Sequence, residues 1–168
     1  MKLHEEVLRI RELLGEEKEQ KIFRVPGLYF FHEDSWEAWQ ILQKLLEVRG
    51  NPPYTIDGDL DFIDSSIESL GNLISVGGNL DLRYKPIKSL GNLQSVGGNL
   101  VLYKTPIKSL GNLISVGGDL YLNNTPIESL GNLTSVGGNF DLRDTPLSEK
   151  YTEEEIRQMV DVGGDIYL

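Results

Sequence analysis

The stretch Leu100 to Gly118, LVLYKTPIKSLGNLISVGG, returns almost letter for letter as LYLNNTPIESLGNLTSVGG from Leu120 to Gly138. Pro86, Pro106, Pro126 and Pro146 mark the same step at a spacing of 20 residues. A fixed period of that length is the signature of stacked repeats, in which no unit buries its own apolar face and each neighbour completes the core of the last. Aligned on the Pro-Ile step, units begin at Gly58, Gly78, Gly98, Gly118 and Gly138. The first has Ser66 in place of the proline, and the last is interrupted after Leu147.

Inside each unit the pairs Leu60/Phe62, Leu80/Leu82, Leu100/Leu102, Leu120/Leu122 and Phe140/Leu142 alternate with polar residues, the pattern of a half-buried strand. Ile87, Leu90, Leu93 and Val96 then follow at steps of three, as they would on a coil that sends every third side chain inward. The Gly-Gly pairs, such as Gly97-Gly98, stand where the chain must turn back into the next strand, which predicts a positive φ there. Successive strands should form a parallel sheet at about 4.8 Å per strand, so that about six span roughly 24 Å.

The chain before and after the repeats reads as ends for the stack. Residues 1–20 place Leu3, Val7, Ile10 and Leu14 on one stripe of an amphipathic helix, followed by a charged linker. Residues 21–57 carry a Pro26-Gly27 turn signal that suggests a short hairpin or two extended pieces. A helix capped by Asp34 and Glu37 should follow, with Trp36, Trp39, Leu42, Leu45 and Leu46 on its apolar face. Asn51-Pro52-Pro53 stops that helix, which should cover the first of the repeats at 58–148. In the tail, 149–168, Thr152 can cap a helix whose first turn is Glu153, Glu154 and Glu155. Gly163-Gly164-Asp165-Ile166-Tyr167-Leu168 then returns to a repeat-like turn and strand.

The pattern LxLxxTPIxSL resembles the leucine-rich repeat, and SVGGNLxL is similar to the turn of the receptor L-domain. The resemblance implies an α+β chain: a short parallel-sheet solenoid of about five repeats and six strands, with helical caps at both ends. Two departures stand out. Thr105, Thr125 and Thr145, or Lys85 and Ser65, replace the family's buried asparagine, and Asn72, Asn92, Asn112 and Asn132 form another column able to make a ladder. A unit of 20 residues also leaves little room for a convex helix, so extended or 3₁₀ segments are expected there. Near-identical short repeats of this kind resemble those of bacterial and bacteriophage proteins, in which they act as interaction modules.

Composition narrows the function. Sixteen Lys and Arg stand against 26 Asp and Glu, a net charge of −10 that argues against a nucleic-acid partner. With no cysteine, thiolate metal sites and cysteine nucleophiles are excluded. No run approaches the roughly 18 apolar residues of a membrane span, and the N-terminus lacks a signal-peptide core. The expected location is cytoplasmic, or the host cytoplasm or virion if the protein is viral. Neither histidine, His4 or His32, stands in a metal-binding pattern, since His32-Glu33-Asp34 are adjacent residues that do not converge and Asp34 serves as a cap. The Gly-Gly turns lack both the GxxxxGK[ST] lysine and the GxGxxG spacing. No cofactor and no catalytic residue is assigned; an enzyme is not expected.

A binding surface is. With Leu80 and Leu82 inward, the outward columns run through Asp81, Val101, Tyr121 and Asp141, and through Arg83, Tyr103, Asn123 and Arg143. The framework hardly varies while these columns do. Two central tyrosines flanked by Asp/Arg pairs resemble an interface with an aromatic middle and a polar rim, so a protein partner is expected on this face. The alternative is a structural or virion-associated protein docked by its N-terminal helix, which could also self-associate, or a glycan-binding adhesin.

Overall fold

The structure, a computed structural model, describes residues 21–25, 35–62 and 65–168. The expected helix at 3–14, the turn at Pro26-Gly27, the Asp34 cap and the Trp36 side chain lie outside the described residues. The rest is a parallel β-solenoid with a few helices, and each coil lays down two short strands, one on either side of its Gly-Gly pair.

The strands before the glycines build a seven-stranded sheet. In order these are β1 (Phe23–Val25), β2 (Tyr54–Ile56), β4 (Leu73–Val76), β6 (Ser95–Val96), β8 (Ser115–Val116), β10 (Ser135–Val136) and β12 (Asp161–Val162). The strands after them build a six-stranded sheet: β3 (Leu60–Asp61), β5 (Leu80–Asp81), β7 (Leu100–Val101), β9 (Leu120–Tyr121), β11 (Phe140–Asp141) and β13 (Ile166–Tyr167). Every pairing is parallel, and the register brings equivalent residues together, with Leu80 beside Leu100, then Leu120, Phe140 and Ile166. The six-stranded sheet is the one the leucine alternation predicts. The seven-stranded one is hidden in sequence, because a Ser-Val pair is too short to show alternation.

Inward residues follow the expected steps. Leu80, Leu82, Ile87, Leu90, Leu93 and Val96 are buried, and so are Leu100, Leu102, Ile107, Leu110, Leu113 and Val116 one coil later. The arc from proline to the next Ser-Val pair carries a turn and no helix, as 20 residues per coil require.

Helix α1 (Ser35–Val48) turns Trp39, Leu42 and Leu46 into this core. The Trp39 ring meets Phe62 edge-on at 5.0 Å between centroids and lies tilted against Tyr54 at 6.2 Å. Leu45, expected on the same face, is half exposed and points away with Ile41 and Val48. Tyr54 is fully buried, donating to the Leu70 carbonyl at 2.8 Å and accepting from Gln43 Nε2 at 2.9 Å. β1 pairs in parallel with β2, Phe23 opposite Tyr54.

Toward the C-terminus, helices α2 (Pro146–Lys150) and α3 (Glu153–Met159) occupy the chain between β11 and β12. They keep the inward column filled with Leu147 and Ile156, and Val160 continues it just past α3. Thr152 caps α3 as its sequence predicts, with Glu155 reaching back to complete a capping box.

The turns depart from expectation in an informative way. The Gly-Gly pairs do not have positive φ; that conformation falls at Gly71, Gly91, Gly111 and Gly131 of the SLGN step, where the preceding serine hydroxyl accepts from the glycine N–H. The Gly-Gly pairs are needed for another reason. A Cβ on Gly97 would overlap the Gly77 carbonyl oxygen, and the same holds for Gly117 over Gly97 and Gly137 over Gly117. Close approach of one coil to the next, held by bonds such as Gly97 N–H to the Val76 carbonyl at 2.8 Å, leaves no room for a side chain.

The residue after each pair forms a ladder. The Oδ1 atoms of Asp59, Asn79, Asn99, Asp119 and Asn139 accept from the backbone N–H of Asn79, Asn99, Asp119, Asn139 and Asp165 in turn, at 2.6 to 2.9 Å. Asn and Asp interchange here because only one acceptor oxygen is used. Asn72, Asn92 and Asn112 also bond to the coil before, though to differing acceptors. After the strand, Thr105, Thr125 and Thr145 turn their hydroxyls to the carbonyls of Leu102, Leu122 and Leu142, closing the turn within a coil. Lys85 takes the same place, buried, with Nζ on the Ser65 carbonyl at 3.1 Å.

Candidate binding face

The residues singled out from the sequence fall on the outer side of the six-stranded sheet. Asp81 sits beside Val101, which sits beside Tyr121, then Asp141 and Tyr167. Arg83, Tyr103, Asn123 and Arg143 follow two residues later in the same coils, and inward-facing leucines separate the columns as strand alternation demands.

At each end of the face an arginine folds back onto the aspartate two residues before it. Arg83 Nε lies 2.9 and 2.7 Å from the two Asp81 oxygens. Arg143 grips Asp141 in the same way, Nε at 2.9 Å and Nη2 at 2.6 Å. In both pairs the arginine N–H also donates to the carboxylate, so the strand's own geometry sets the ion pair. Each carboxylate pushes its arginine's pKa further up. Asp141 is 3% exposed, packed in register between Tyr121 and Tyr167, and so holds Arg143 in place instead of offering itself to a partner. Arg143 in turn lies over the Tyr167 ring at 5.6 Å.

Aromatic rings fill the middle. Tyr103 packs edge-on against Tyr84 with centroids 5.2 Å apart, and the Lys104 ammonium lies 5.0 Å from the first ring and 5.7 Å from the second. Tyr121 donates its hydroxyl to Asp119 at 3.0 Å. The sequence reading missed Tyr84, Lys104 and Tyr167. The first two stand in the turn after the strand, where periodicity assigns no face, and the third lies in the unrepeated tail; the variation Tyr84, Lys104, Asn124, Asp144 was the available signal.

The two central tyrosines should titrate apart. Lys104 at the Tyr103 oxygen, aided by Tyr84, favours the phenolate and lowers the Tyr103 pKa below the ordinary value. Asp119 accepts from neutral Tyr121 and would face its phenolate charge, which raises Tyr121 above the ordinary value. Ring-labelled tyrosine NMR between about pH 8 and 12 should therefore show Tyr103 ionising before Tyr121. The reverse order would mean that Lys104 does not lie on the rings.

Elsewhere, Ser75, Ser95, Ser115 and Ser135 line a shallow open groove with the glycines on the outer side of the seven-stranded sheet. Among the described residues no group of three His, Asp or Glu could hold a metal ion, and no helix is long and apolar enough to cross a membrane. No protein family, curated protein or solved structure compared with the chain matches it.

Proposed function

We propose that the protein is a non-catalytic binding module that holds a protein partner on the outer face of its six-stranded sheet. The observation that carries this reading is the division of labour within each coil. Repeated residues are spent on the core, the close glycine contacts and the ladder, while the outer columns of the six-stranded sheet change from coil to coil around Tyr84, Tyr103, Tyr121 and Tyr167. Tyrosines part-exposed on the face and held by neighbouring rings, charges and the Asp119 carboxylate enter an interface at low cost in side-chain entropy. The leucine-rich-repeat-like pattern supports the same use, as an interaction or inhibitor protein of bacterial or bacteriophage type, with helices closing the stack. Docking or self-association through the N-terminal helix concerns residues outside those described.

Capture from lysate followed by mass spectrometry tests the reading. Tyr103→Ala combined with Tyr121→Ala should cut recovery of the specifically bound protein about tenfold or more, as loss of two central anchors does. An unchanged set of captured proteins would move the binding surface off this face.

A further inference from the structure

Tyr84, Lys104, Asn124 and Asp144 occupy one position in successive coils, and all four are left-handed, with φ of 60°, 54°, 59° and 56°. Asn and Asp visit that region readily, whereas a tyrosine or a lysine there is strained. Such strain persists where the surroundings fix it, and it concentrates at ligand-binding positions. Here the strained pair presents a 61% exposed ring and an ammonium at the centre of the face.

The charges on the face are unequal in kind. Arg83, Arg143 and, on the neighbouring arc, Lys108 are each paired, to Asp81, Asp141 and Glu128. Among the described residues no carboxylate pairs with Lys104, which rests on two aromatic rings instead. Its own two coils are the basic part of an acidic chain: residues 79–118 hold Arg83, Lys85, Lys88, Lys104 and Lys108 against Asp81 alone. Net charge taken over the whole chain averages this away. Two coils further on, in the same column, the Asp144 carboxylate accepts from the Asn124 amide at 3.3 Å. Coils stacked at about 4.8 Å put Lys104 and Asp144 about 10 Å apart along the axis. Three residues of a polyproline II segment, at about 3.1 Å each, cover about the same distance and bring the first and fourth side chains back to one side.

We propose that the face takes a polyproline II segment of the partner protein lying along the solenoid axis, with an acidic side chain on Lys104 and a basic one three residues away on Asp144. This rests on the reading of the face as a protein-binding surface and adds the chemistry of what binds. Tyr84 and Tyr103 wall the acidic side chain's seat, excluding water around the ion pair, and Asn124 lies beneath the intervening peptide.

Three labelled peptides of one length, carrying Glu-x-x-Lys, Lys-x-x-Lys or Glu-x-x-Glu in a Ser/Pro background, test the proposal by fluorescence anisotropy with the full chain. Glu-x-x-Lys should bind about fivefold more tightly than either of the others, the worth of one partly shielded charge pair. Lys104→Glu, checked for folding by circular dichroism, should turn the preference to Lys-x-x-Lys, which a merely structural lysine would not do. Equal affinities, no binding of any peptide, or a preference unchanged by Lys104→Glu would overturn the proposal. If capture of a protein still depends on Tyr103 and Tyr121 in that case, the face reading stands and the peptide chemistry falls. Lys104→Asn should relieve the strain and raise the melting temperature by about 2–4 °C while losing the preference. A lowered melting temperature would overturn the strain argument.

Discussion

Gly117→Ala is expected to cost about 3 kcal/mol, at the upper end of what overpacking usually does, and to lower the melting temperature by about 6–12 °C. The added methyl would overlap the Gly97 carbonyl oxygen, which is backbone and cannot swing aside. Moving the coil outward instead would lengthen the bonds from Gly117 N–H to Val96 and from Gly118 N–H to Gly98, now 2.8 and 3.0 Å. Gly111→Ala makes a fair control, since nothing lies within 4 Å of its added methyl and only the positive φ, +57°, is offended. That change should cost about 1 kcal/mol. Thermal unfolding of both, followed by circular dichroism, separates the two kinds of glycine. If Gly117→Ala melts with the parent protein, the coils are not stacked this closely.

Trp39→Ala should remove about 3–5 kcal/mol, the usual loss for a large buried aromatic. Trp39 is 3% exposed and is the ring against which both Phe62 and Tyr54 pack. Stability in a stacked array is largely a sum over neighbouring interfaces, so the damage should be local. Amide exchange should speed up from Tyr54 through Leu82, while Leu120 through Leu142 keeps most of its protection. Uniform loss of protection would mean that the array unfolds as one unit; no loss would mean that α1 does not cover the first coil.

The sequence and the structure agree where side-chain periodicity is the deciding physics. Leu80/Leu82 alternation and the three-residue steps through Val96 report directly on which side chains are inward, and they locate the six-stranded sheet. What periodicity does not carry is the approach of one backbone to another. The glycine pairs therefore looked like conformational turns when their constraint is a contact 20 residues away. The ladder of Asn79 and Asn99 is silent in sequence for the same reason, since a polar residue bonded to the next coil and one bonded to water are identical letters. On the candidate face, alternation selected the residues of the strands and passed over Tyr84 and Lys104. Their left-handed backbone could be inferred only from Asn124 and Asp144 at the same position.

The ladder through Asn79, Asn99 and Asp119 has a consequence for how such a chain can change. Each Oδ1 reaches the next coil's main chain and not its side chain. In this ladder a coil is therefore indifferent to which copy follows it. A duplicated 20-residue block spliced in at Gly98 would meet a waiting acceptor, a bare glycine floor and leucines already in line. Growth and shrinkage in whole blocks are open to this chain by recombination alone, while point substitutions rewrite its outer columns one letter at a time.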